Sequence, residues 1–141
     1  MANSRYSLSF RVWHPSMSAT EVAAKVGMTP RIQHSAGEPR KTPKGDPLPG
    51  HYKGTFCTFP MSKGDFSAFE SALRAAISQL QRAGKELLDI ATSGGRAEFF
   101  IGLFLEGNEG MVLDDGLLKA IADMRLTLSL DLYGADGASE D

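Results

Sequence analysis

Cysteine is almost absent. Cys57 is the one thiol in 141 residues, so no intramolecular disulfide can form and a small disulfide-stapled secreted scaffold is excluded. Long hydrophobic runs are absent too: no stretch approaches the roughly 18 apolar residues of a membrane-spanning helix. The opening segment, MANSRYSLSFRVWHP, alternates polar and apolar residues where a signal peptide would carry an unbroken apolar stretch. Nor is there an excess of charge. A net charge of −2 gives no electrostatic case for nucleic acid or an anionic membrane. Together these absences lead to the expectation of a cytoplasmic protein.

Catalytic and metal signatures are missing as well. There is no Gly-x-Ser-x-Gly elbow. Asp114 and Asp115 are adjacent, but a helix start explains them better than an acid pair does. Ser93-Gly94-Gly95 is too short for a phosphate loop. His14, His34, His51 and Cys57 lack the paired short spacings of structural zinc sites. Cys57 lies between Phe56 and Thr58 in an apolar segment, where a buried, inert thiol is the usual outcome. Neither a metal nor a cofactor is expected, and no catalytic residue is assigned.

What is present reads as one domain spanning residues 1–141, long enough to bury about two-thirds of its unfolded surface without staples. Tyr6, Leu8, Phe10 and Val12 alternate with Ser7, Ser9 and Arg11, the pattern of a strand with one buried face. Ser18 and Glu21 have capping-box spacing at the head of a short helix that stops at Gly27. A second strand is expected from Tyr52 to Phe59, ended by Pro60. The main helix is expected from an Asp65 N-cap through Phe66, Phe69, Leu73, Ile77 and Leu80, with Gly84 breaking it before Leu87, Leu88 and Ile90. Glu98–Leu105, apolar on both faces, reads as an interior strand, with Met111–Leu113 pairing back on it. Asp114 caps a helix carrying Leu117, Leu118, Ile121 and Met124. Leu126, Leu128, Leu130 and Leu132 then alternate with polar residues in a last strand. The order gives a two-layer α+β fold, with helices on one face of a four- to five-stranded, mainly antiparallel or mixed sheet. A ferredoxin-like arrangement is the expected subtype. The small acidic tail, residues 134–141, is expected to fray.

One segment stands apart. Residues 27–53 hold five of the seven prolines and a surplus of three positive charges, against an excess of five negative charges elsewhere. A connection this long without structure of its own is usually functional or disordered. A cationic loop on an acidic body suits a small anionic ligand or an acidic partner. Arg31 and Arg40 are the leading candidates, because guanidinium grips carboxylate or phosphate bidentately. The alternative for Arg40 is a salt bridge to the body. His34 and His51 lie in the same segment. Trp13 and Tyr133 fall on the polar side of their strands and would form an aromatic patch if those strands were neighbours; the alternative is that the long loop covers Trp13.

Two short motifs, Val26-Gly27-Met28-Thr29-Pro30 and Gly37-Glu38-Pro39-Arg40, precede a short helix and an alternating strand ending Asp131-Leu132-Tyr133. In this order and spacing, from about Tyr6 to Tyr133, the chain resembles the bacterial family called domain of unknown function 4279. Members carry a tryptophan on the second strand where this chain has Phe56. The resemblance implies a small cytoplasmic domain and brings no mechanism with it. The functional expectation is a non-catalytic protein-interaction or binding module, through a protein partner or a homodimer at the open sheet face or an edge strand. The alternative is a domain that binds a small anionic ligand with the long basic loop, through Arg31, Arg40, His34, His51 and Trp13.

Overall fold

The structure, a computed structural model, describes residues 3–134. Its elements in chain order are β1 (Arg5–His14), α1 (Ala19–Val26), β2 (Ile32–His34), β3 (Pro39–Lys41), β4 (Pro47–His51), β5 (Thr55–Asp65), α2 (Phe69–Gln81), α3 (Gly84–Thr92), β6 (Arg96–Phe104), α4 (Asp115–Asp123) and β7 (Leu126–Tyr133). Five strands form one mixed sheet in the order β2-β5-β1-β6-β7. β1 is antiparallel to both β5 and β6, β2 is antiparallel to β5, and β6 and β7 run parallel. The fold is α+β. One ferredoxin-like feature is present, the β5–α2–α3–β6 crossover that straddles β1. The second crossover, β6–α4–β7, instead joins adjacent strands.

Alternation decides the layers. Tyr6, Leu8, Phe10 and Val12 of β1 are buried, and they meet Cys57 and Phe59 of β5 and Phe99 and Ile101 of β6. The helices supply Val22, Leu73, Ile77, Leu87, Ile90, Leu117 and Ile121 to the same core. Burial of each large side chain of this kind contributes about 1.5–3 kcal/mol. Among the described residues the opposite face of the sheet carries no helix, and it holds Ser7, Ser9, Arg11 and Trp13 of β1, half-buried.

Several boundaries differ from expectation. β5 begins at Thr55 rather than Tyr52 and continues to Asp65, straight through Pro60. Its register with β1 shifts here, with Leu8 opposite Ser62 and Ser9 opposite Pro60, so Met61 is the extra residue of a bulge. A bulge next to an outer edge that β2 leaves free beyond Thr58 is where a proline without an N–H fits a strand. Asp65 does not cap a helix. It pairs with Arg5 at 3.2 Å, and a single 3-10 turn, Phe66–Ala68, precedes α2. Met111–Leu113 forms no strand; Met111 and Leu113 instead pack against the core. Asp114 caps α4 as expected, accepting from the Leu117 N–H at 2.8 Å. That bond, and then the Arg74 guanidinium, holds its carboxyl below the usual range. Of the expected acidic tail, all but Gly134 lies outside the described residues.

The segment expected to be structureless is built. β2 joins the sheet edge, and β3 pairs with β4 in a separate hairpin. The two motifs prove to be turn chemistry. Gly27 caps α1 at φ 80° and Gly37 sits at φ 86°, both in the left-handed region that glycine adopts without Cβ strain. The Glu38 carboxylate accepts from the Ser35 N–H at 2.7 Å, the Gly37 N–H donates to the Tyr52 carbonyl at 2.8 Å, and the Tyr52 N–H donates to the Glu38 carbonyl at 2.9 Å. Buried Thr55 donates to the Met17 carbonyl at 2.6 Å and accepts from the Ala36 N–H at 2.9 Å, tying the segment to the body.

Cys57 is buried, as expected, with its Sγ directed at the Ala19 carbonyl. Burial pushes its thiol up to about 11 from the usual 9. A folded-state value above the unfolded one means that the unfolded chain loses the proton first. This contribution to stability is therefore complete below about pH 9 and falls by about 1.4 kcal/mol per pH unit up to about 11. Urea midpoints measured from pH 8 to 11 should fall more steeply for the native chain than for Cys57→Ala; parallel profiles would refute the assignment.

Candidate functional site

The open sheet face has one continuous rung. His34 of β2 stands opposite Phe56 of β5, Phe56 opposite Trp13 of β1, and Trp13 opposite Arg96 of β6. Period-two geometry puts all four side chains on the face without helices. The Trp13 and Phe56 ring centroids are 5.3 Å apart, and His34 lies 5.9 Å from Phe56. The Arg96 guanidinium rests 3.9 Å over the Trp13 ring. On the outer side His34 stacks on Tyr52, with centroids at 3.6 Å and planes 6° apart. An aromatic row thus crosses the sheet from edge to interior and ends in a cation.

The next rung sets the electrostatics. Arg11 stands opposite both Thr58 and Glu98. Its Nη2 and Nε both donate to Oε2 of the buried Glu98, at 2.6 and 2.9 Å. Its guanidinium also lies 3.8 Å over Phe100. Arg11 is therefore neutralised. Arg96 and Lys53 are exposed and have no carboxylate partner among the described residues, so the positive charge at the Trp13 end is theirs.

These groups line a cleft of about 560 Å³, walled by Trp13, Phe56, His34, Arg11, Arg96, Lys53 and the backbone turns at Pro15, Gly54 and Gly94. Its volume lies in the range of small-molecule sites. An extension of about 350 Å³ continues over Arg11 and Phe56 to Arg31, Ile32 and Phe100. Among the described residues no carboxylate lines either part. The Nδ1 of His34 is buried without a hydrogen-bond partner among the described residues.

The cleft has a stiff back wall. His14, at the end of β1, points into the core side, and its Nδ1 accepts from the Ser16 and Met17 N–H groups at 3.0 and 2.8 Å. Nε2 consequently carries the proton and donates to Ser93 Oγ at 2.9 Å, which itself donates to the Asp89 carbonyl. One imidazole joins β1, the α1 lead-in and the end of α3.

Of the five residues singled out from the sequence, the structure brings Trp13 and His34 together at the cleft and places Arg31 at its extension. The other two lie elsewhere. His51 is exposed in β4 opposite Pro39, and Arg40 reaches no carboxylate among the described residues but donates to the Pro49 carbonyl at 3.2 Å, closing its own hairpin. The long loop does not cover Trp13; its β2 and Tyr52 border the cleft instead. Trp13 and Tyr133 form no common patch, because β6 separates their strands and Tyr133 stacks on Phe104 at the far end. Sequence reasoning missed Arg96 and Arg11. The spacing of Arg11 and Trp13, two apart in an alternating strand, was the available signal; nothing local marks Arg96.

Fold and site together define a small α+β domain whose uncovered sheet face carries an aromatic and arginine-lined cleft. The chain belongs to the family described as Domain of unknown function (DUF4279), whose model matches residues 4–135. No curated protein and no solved structure matches it. The position where the family resemblance expects tryptophan, Phe56, lies on the cleft floor and not in the core. Among the described residues no three His, Cys, Asp or Glu side chains gather as a metal site, and no helix is long and apolar enough to cross a membrane.

Proposed function

We propose that this protein is a binding domain that holds a small anionic ligand bearing a flat ring in the cleft at the Trp13 end of the sheet. The observation that carries the proposal is the rung His34–Phe56–Trp13–Arg96, flanked by Lys53 and, among the described residues, lined by no carboxylate. Aromatic faces offer stacking surface and edge-on contacts to a planar group. Guanidinium offers paired donors to phosphate or carboxylate. These are recognition groups; the Ser93 hydroxyl at the back wall receives the His14 proton rather than giving up its own to the imidazole, which favours binding over catalysis. The ligand site differs from the expected one, since its charge comes from Arg96 and Lys53 rather than Arg40 and the hairpin.

Trp13 is the one tryptophan of the chain, so its fluorescence reports on this cleft alone. With excitation at 295 nm, adenosine monophosphate, adenosine, nicotinate and inorganic phosphate serve as probes. A ring joined to an anion should change Trp13 emission at lower concentration than either part alone. Silence of all four probes into the millimolar range would remove the proposal.

A further inference from the structure

A second surface, independent of the cleft, is the outer edge of β7. Natural sheets blunt their edges with short strands, prolines, bulges or lysines. The opposite edge of this sheet follows that rule, since β2 is three residues long. β7 is eight residues long, carries no proline or lysine, and keeps unbroken register with β6 from Leu126 to Tyr133. Among the described residues its outer side is unpaired. Its helix-side leucines become more exposed along the strand. Leu126 is 8% exposed, Leu130 47% and Leu132 63%. The reason is length: nine residues of α4 cover about 13.5 Å, whereas the strand runs about 26 Å. α4 therefore shelters only the beginning of β7.

We propose that β7 is a homodimer interface in which the strands of two copies pair antiparallel about a two-fold axis at Ser129. The Leu105 N–H donates to the Tyr133 carbonyl, so odd-numbered residues of β7 turn their backbone groups to β6. Leu126, Leu128, Leu130 and Leu132 then direct their N–H and C=O groups outward. One antiparallel register uses all four. It sets Leu126 opposite Leu132 of the second copy and Leu128 opposite Leu130, with Ser129 facing itself. The exposed end of each strand comes to lie beside the end that α4 of the other copy shelters. On the open face, Thr127 falls opposite Asp131, and Arg125 comes within a diagonal step of the same Asp131. No like charges oppose one another. The pairing is isologous and closed, as a two-fold dimer requires.

Sedimentation equilibrium tests the dimer. The native chain should sediment at twice its 15.2 kDa mass. Leu130→Pro removes only an outward N–H and Leu132→Lys places a charge on the seam; both should fall to the monomer mass. Crosslinking tests the register without relying on those variants. Facing residues of a non-hydrogen-bonded pair have Cα atoms about 4.5 Å apart, within disulfide reach. Ser129→Cys should form a disulfide-linked dimer under mild oxidation at least ten times faster than Thr127→Cys. A native chain that is monomeric at high micromolar concentration would overturn the proposal. Equal crosslinking of the two cysteine variants would overturn the register, and with it the pairing proposed.

Discussion

His14→Leu is expected to lower folding stability by about 3 kcal/mol, although a leucine fits the burial of this 4%-exposed position. The imidazole satisfies two backbone N–H groups, at Ser16 and Met17, and gives its own proton to Ser93. Both bonds are part-buried, with His14 buried, Met17 half-buried and Ser16 exposed; removing the acceptor costs about 1–3 kcal/mol for each donor left without a partner, and less where water replaces it. The contrast of two amides makes the assignment testable. In His14→Asn the side-chain oxygen stands where Nδ1 stood and still accepts from the two N–H groups, losing only Ser93. In His14→Gln the polar end lies at the Nε2 position, and the turn at Ser16 and Met17 is left bare. Urea unfolding should therefore rank the chains native, Asn, Gln, Leu, with a common m-value. A leucine variant within 0.5 kcal/mol of native (about the scatter of ordinary surface substitutions) would show that the imidazole holds nothing. The same turn carries Pro15 to the cleft wall, so the Leu variant should also loosen the cleft.

The second large effect falls on binding. Arg96→Glu should weaken the response of Trp13 to a ring-bearing anion by at least tenfold. A charge-assisted hydrogen bond contributes about 1.5–3 kcal/mol, and each 1.4 kcal/mol is a factor of ten in affinity. The substituted carboxylate adds repulsion in a cleft where Arg11 is already matched by Glu98. Arg96→Lys keeps the charge but loses the planar stack 3.9 Å above Trp13, and should fall between the two. Stability should hardly change, because Arg96 is exposed and has no carboxylate partner among the described residues. Affinity should also decline with added potassium chloride, as for any exposed charge contact. Arg40→Ala is the control. Its guanidinium closes the β3–β4 hairpin on the Pro49 carbonyl, so binding should be unaffected. Loss of binding in Arg40→Ala with Arg96→Glu unchanged would move the site to the hairpin.

Local pattern determined much of this protein. The alternation of Tyr6 to Val12 made β1, the Ser18 and Asp114 caps opened α1 and α4, and Gly27 and Gly37 made their turns, because each rests on interactions within a few residues. Trp13 and His34 were legible as candidates for related reasons: one falls on the polar side of an alternating strand, the other in a segment too unusual to be a plain connector. Pairing decided what pattern could not. Pro60 reads as a strand end until a bulge opposite Leu8 and Ser9 admits it. Residues 39–51 read as a free basic loop, but the chain reverses there and satisfies its backbone in a hairpin, taking Arg40 and His51 away from the cleft. The four leucines of β7 read as one buried face, yet α4 is too short to cover the last two. Arg96 reached the site only through its register with Trp13, across strands more than eighty residues apart in the chain. A sequence carries the two-residue period of each strand but not the offset between strands, and that offset, set by the whole core, assembles the rung His34–Phe56–Trp13–Arg96.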